Sequence, residues 1–74
     1  MTRWEYCEVT WQPAQVTVTS IPAYGELQTD TYPTTEWPQL LAKLGEDGWE
    51  MVSCTSSPVG AHEYYFYFKR PGDF

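Results

Sequence analysis

Basic residues are scarce in this chain. Among its 74 residues, Arg3, Lys43, Lys69 and Arg70 stand against ten acids, a formal net charge of -6. Phosphate backbones and anionic lipid surfaces need clustered cations. The expected partners therefore include no nucleic acid and no membrane. Histidine occurs once, at His62, and cysteine twice, at Cys7 and Cys54. Metal centres want three or four convergent ligands, so this supply of soft side chains leads us to expect no metal and no cofactor. Long apolar runs are missing too. No stretch approaches the ~20 residues of a membrane span, and residues 1–6 have no apolar run of signal-peptide type. The expected location is cytoplasmic, with both thiols reduced. Cys7 and Cys54 each sit inside an apolar strand-like run, where a free thiol behaves as a small hydrophobe; their spacing leaves a single disulfide open.

Catalytic patterns are thin. A Gly-rich phosphate loop, oxyanion donors and paired inward carboxylates are absent from the pattern. Cys54 and His62 flank one hairpin and form the sole nucleophile–base candidate, which would need hydrogen-bond reach and an orienting group. Glu63 cannot pair with His62 directly, because strand neighbours point to opposite faces. We expect a protein that is not an enzyme.

Aromatic residues are abundant: four Trp, six Tyr and three Phe, 18% of the chain. A chain this short buries only roughly 60% of its unfolded surface. Each buried ring removes about 150–250 Å² from water. The rings are thus the material of one core, in a single domain spanning residues 1–74.

Residues 3–11 carry Trp4, Tyr6, Cys7, Val9 and Trp11 and predict a strand with no wholly polar face. Pro13 turns the chain. Residues 15–21 alternate Val16 and Val18 with Thr17 and Thr19, a half-buried strand whose Thr-rich face suits an edge. Residues 22–33 are irregular. Twelve structureless residues are long for a connection, so either residues 26–29 add a short strand or Tyr24, Leu27 and Tyr32 pin a loop that is also a candidate binding segment. Trp37, Leu40, Leu41 and Leu44 then fall on one helical stripe. Thr34 or Thr35 is the expected cap, Pro38 lies in the first turn, and Gly48 is placed as the left-handed stop. Residues 49–55 and 63–70 form a second hairpin around Ser56, Ser57, Pro58 and Gly60. The last strand has His62, Tyr64, Phe66 and Phe68 on one face and Glu63, Tyr65 and Tyr67 on the other, which suits the sheet interior.

The expected fold is α+β: one helix packed on one face of a four-stranded antiparallel sheet, in the order β-β-α-β-β. One helix covers one face, and the aromatics of the other need covering. That predicts a homodimer or higher homo-oligomer.

Trp4-Glu5-Tyr6, Leu41-x-x-Leu44-Gly45-x-x-Gly48-Trp49-Glu50-Met51-Val52-Ser53 and Tyr67-Phe68-Lys69-Arg70-Pro71 together resemble the bacterial and phage family of domains of unknown function numbered 4177. The resemblance implies a small α+β domain and brings no activity, cofactor or catalytic residue. Residues 13–33 depart from it, being longer and more Thr-rich than the brief turn the resemblance implies. In physical terms the motif is a fold motif, with Gly45 allowing close packing, Gly48 ending the helix and Trp49 sealing its exit.

The functional expectation is a self-associating, non-enzymatic protein-interaction module that works through its aromatic sheet face or the 22–33 segment. The alternative is binding of a small, nucleotide-like ligand at a subunit interface, with Arg3, Lys69 and Arg70 supplying positive charge. The candidate binding or interface residues are Trp4, Tyr6, Trp11, Tyr24, Tyr32, His62, Tyr65, Tyr67 and Arg70. Glu5, Glu8, Glu50 and Glu63 form a further candidate, a carboxylate row for a cation or a basic partner.

Overall fold

The computed structural model describes residues 3–23, 25–58 and 62–72. The chain runs β1 (Trp4–Trp11), β2 (Gln15–Ile21), β3 (Gln28–Pro33), a 3-10 turn (Thr34–Glu36), α1 (Trp37–Glu46), β4 (Glu50–Ser56) and β5 (Tyr64–Pro71). All five strands form one antiparallel sheet in the order β3-β2-β1-β5-β4. The expectation of four strands is therefore corrected to five. The added strand takes half of the irregular segment, because Thr29, Thr31 and Tyr32 suit a pleated edge and Pro33 is tolerated where no neighbour needs its N–H. It starts later than the short strand considered at residues 26–29. Leu27 is 64% exposed and pins nothing, whereas Tyr32 packs on the core. Tyr24 lies outside the described residues. The extra strand also moves β2 off the edge, contrary to its Thr-rich appearance.

Counting reversals along the sheet, β3 and β4 run the same way at opposite edges. Parallel strands need a crossover, and α1 provides it. Ten residues of helix span about 15 Å, close to the roughly 19 Å across five strands. The helix therefore crosses one face from edge to edge.

The strand register assigns the faces. Cys7 and Val9 of β1, Val16 and Val18 of β2, and Phe66 and Phe68 of β5 lie on neighbouring rows of one face. Cys7, Val9, Val16, Val18 and Phe68 are buried there under Leu44 of α1, with Trp11, Tyr32, Trp37, Leu40, Trp49 and Phe66 packed around them. Trp37 stacks at a tilt on Phe66, with ring centroids 5.1 Å apart. Leu41 shares the apolar stripe but stays 37% exposed. Neither Thr34 nor Thr35 caps the helix. Instead the Thr34 hydroxyl donates 2.6 Å to the Gln12 carbonyl, tying the helix entry to the β1–β2 turn.

The helix exit follows the expectation more closely. Gly48 has φ +89°, its N–H bonds to the Gly45 carbonyl at 3.0 Å, and the Trp49 N–H reaches the Leu44 carbonyl at 2.9 Å. This paired closure satisfies two orphan carbonyls and places an apolar residue beyond the stop. Gly45 is a correction: a Cβ there would meet nothing within 4 Å, so close packing does not require glycine. Gly72 is the position that does, since a Cβ would come within 2.8 Å of Glu5 Cγ.

No described helix is long and apolar enough to cross a membrane. Cys7 and Cys54 are both free thiols. Because β5 lies between their strands and their partners on it, Phe68 and Phe66, are two residues apart, they stand about 12 Å apart, beyond disulfide reach.

Candidate functional site

Three regions of the surface differ from a plain solvated fold. The first is a bowl of about 320 Å³ on the helix side, beyond the helix C-terminus, lined by Glu5, Ser20, Pro22, Gly25, Glu26, Gln28, Trp49 and Arg70. Adjacent register pairs bring its floor together: Glu5 faces Arg70 across β1 and β5, and Ser20 faces Gln28 across β2 and β3. Arg70 is held from three sides. Its Nε donates 2.7 Å to Glu5 Oε1, its Nη1 donates 2.8 Å to the Asp47 carbonyl, and its Cζ lies 4.2 Å from the Trp49 ring centroid. The Glu5 side chain is only 13% exposed, and the missing side chain of Gly72 makes room for it. The sequence singled out Arg70 but missed Glu5 as its partner, because the pairing spans the two ends of the chain.

The second region is the face opposite the helix. Two cross-strand rows dominate it: Thr31, Thr17, Thr10, Tyr65 and Thr55, then Thr29, Thr19, Glu8, Tyr67 and Ser53. A hydroxyl or a carboxylate stands at every position. Thr19 and Thr29 hydroxyls lie 3.4 Å apart. Both tyrosines are anchored. Tyr65 donates 2.5 Å to Glu63 Oε1, which also receives the Gln12 amide on its other oxygen, and the Tyr67 hydroxyl bonds to Glu8. These bonds to carboxylates, first among the causes, raise both phenol pKa values above the ordinary tyrosine value. At one end the face turns aromatic: Tyr6 is 49% and Trp4 39% exposed, and Lys69 Nζ sits 4.4 Å above the Trp4 ring.

The third region is the β4 edge. All seven of its residues are exposed. An irregularity between Met51 and Ser53 leaves Val52 as an extra residue, a β-bulge. The bulge puts Met51 and Cys54, three residues apart, on the helix face opposite Phe68 and Phe66. Both are exposed there, as is Tyr64 on the same face of β5, so they form an apolar shelf that the helix leaves uncovered; Leu41 of α1 is exposed as well.

Other expected sites separate. Lys69 and Arg70 point to opposite faces, so they make no single basic patch. The proposed carboxylate row is broken: Glu5 lies on the helix face with Arg70, while Glu8 and Glu50 lie on the other. Trp11 and Tyr32 belong to the core periphery rather than to a shared surface, and Trp11 packs edge-on against Tyr64 at 5.6 Å. His62 is exposed before β5. No group of three His, Cys, Asp or Glu side chains is placed to hold a metal among the described residues. Burial is the first cause that pushes the Cys7 thiol up to about 11; that leaves it protonated and a poor nucleophile at neutral pH.

Compared with protein-family models, curated proteins and solved structures, the chain matches none.

Proposed function

We propose that this chain is a non-enzymatic module that self-associates through β4. The observation that carries the reading is the pairing of an unprotected edge with an apolar shelf. Residues 53–56, past the bulge, are uncharged, free of proline and exposed. A strand of that kind offers unpaired N–H and C=O groups to another chain. On its helix face Met51 and Cys54 are exposed, and Leu41 of α1 is exposed too. A second copy related by a two-fold axis answers both needs. Antiparallel β4–β4 pairing continues the sheet to ten strands, and the shelf side chains of both copies fill the space between the two helices.

The face opposite the helix is less suited to a dry contact. Its two hydroxyl rows and anchored tyrosines are what an antiparallel sheet presents to water. In the dimer this face becomes one continuous surface, with Trp4, Tyr6, Tyr65 and Tyr67 of each copy available to a protein partner. We also propose kinship with the family numbered 4177, on the Leu-Gly-x-x-Gly-Trp-Glu segment that builds the helix stop, and a reducing cytoplasmic setting, in which Cys54 near the two-fold axis stays a thiol.

Light scattering after size exclusion tests the assembly. The expected mass is about 17 kDa, twice the 8.6 kDa chain. Cys54→Arg should give a folded monomer, and Tyr6→Glu on the opposite face should leave the dimer intact. A wild-type monomer, or a dimer lost with Tyr6→Glu alone, would refute the β4 interface.

A further inference from the structure

The bowl around Arg70 is not used by the β4 interface, and its chemistry is specific enough to name a ligand class. We infer that it binds a neutral polyhydroxylated ligand, a single saccharide ring.

The charges decide first. Arg70 contributes one positive charge, and Glu5 and Glu26 two negative ones, so the lining sums to -1, within a chain of net charge -6. A phosphate or a nucleotide would add negative charge to that excess. A zwitterion would set its carboxylate against Glu5, which already holds the guanidinium at 2.7 Å and is too enclosed to swing away. A hydroxyl adds no charge.

Hydrogen-bonding capacity decides next. A guanidinium has five N–H donors, and the bonds to Glu5 and Asp47 use two of them. Glu26 accepts only, while Gln28 and Ser20 both donate and accept. The bowl therefore offers donors on one side and acceptors on the other. Each sugar hydroxyl is at once one donor and two acceptors, so neighbouring hydroxyls can answer both kinds of group without leaving a polar atom unpaired.

Pre-organisation completes the case. Arg70 is fixed by an ion pair, a carbonyl and the Trp49 ring, so little side-chain entropy remains to be lost on binding. Pro22 and Trp49 supply apolar wall for the C–H side of a ring. The volume, about 320 Å³, sits at the low end for small-molecule sites, which fits one ring better than a chain of them.

The test is nuclear magnetic resonance titration of the full chain with D-glucose, D-galactose and N-acetyl-D-glucosamine, each against inorganic phosphate and glycine. At least one sugar should give saturable shifts at the Trp49 indole N–H, the Arg70 Nε–H and the Gln28 amide, at millimolar concentrations. Gln28→Ala and Ser20→Val, both at solvent-accessible positions, should weaken that sugar about tenfold while preserving the rest of the spectrum. Absence of saturable shifts with all three sugars overturns the inference. So does tighter binding of phosphate or glycine at the same resonances, or sugar shifts confined to Tyr65 and Tyr67. The readout is separable from assembly: Cys54→Arg should bind the sugar as the wild type does.

Discussion

The two edges of the sheet, β3 and β4, are guarded very differently. At β3, Asp30 points toward the helix side opposite Val18, Pro33 ends the strand, Tyr32 reaches the core, and the chain leaves directly into the helix. An inward charge and a proline are devices that stop edge-to-edge pairing. At β4 the bulge at Val52 and the charge of Glu50 guard only the start of the strand; all seven residues are exposed, and the strand is held through β5 alone. One edge is closed chemically and the other is left open. Since an open edge is a liability for a monomer, its persistence beside an apolar shelf favours a use for it.

The comparison breaks first at the core. Phe68 is 3% exposed and backs both Cys7 of β1 and Met51 of β4. Phe68→Ala should cost about 3–5 kcal/mol in urea denaturation, releasing β4 along with the centre. Tyr32→Ala, on the guarded edge, should cost about 1 kcal/mol, the middle of the range for point mutants. Equal losses would mean that the β3 side carries as much of the fold as the centre.

A second, smaller effect comes from Cys7, in the same central rows. Its pKa is raised from 9.0 to about 11, first by burial, against a lowering by Arg70. The folded state thus holds the proton longer than the unfolded one. The associated stability is fully present below pH 9 and is lost as pH rises toward 11, by up to about 2–3 kcal/mol. The Tyr65 and Tyr67 phenols are shifted the same way, so the check is the difference between wild type and Cys7→Ala. That variant should lack the Cys7 part of the slope between pH 9 and 11. Cys54 should react with a thiol reagent in the folded monomer, at dilution below the dimerisation range, while Cys7 waits for unfolding.

Next come the two helix glycines. Gly48→Ala forces a side chain into φ +89° with no clash to relieve, so it should cost about 1–2 kcal/mol of backbone strain. Gly45→Ala occupies open space in the helix and should stabilise by about 0.5–1 kcal/mol. Thermal melts of the pair give opposite signs if the helix stop is as described.

Local periodicity carried much of this fold. The Val–Thr alternation of β2, the Tyr–Phe run of β5 and the Gly48 stop are each written within a few residues, where backbone sterics act. What escaped was long-range. Residues 22–33 read as irregular, with a short strand at 26–29 or a pinned loop both open, because Asp30 and Pro33 argue against a longer strand; yet these are the residues that suit an edge once a neighbour exists. The Arg70–Glu5 pair joins positions 65 apart in sequence, and nothing local signals it. The bulge that turns Met51 and Cys54 onto one face depends on register with β5, so the shelf is invisible to alternation, which would set those two residues on opposite faces.

The finest discrimination between the edges is amide exchange. As a monomer, β4 should open locally at low cost, since its outward N–H groups meet only water and all its residues are exposed. Pairing with a second copy would protect those same amides, and protection that comes from association follows mass action. Raising the protein concentration through the dimerisation range should therefore slow exchange at residues 53–56. The β3 amides facing outward should exchange at a rate independent of concentration, because Asp30 and Pro33 deny that edge a partner. Concentration-dependent protection at β3 in place of β4 would reverse the assignment of the two edges, and protection at neither would leave the sheet without the self-association proposed for it.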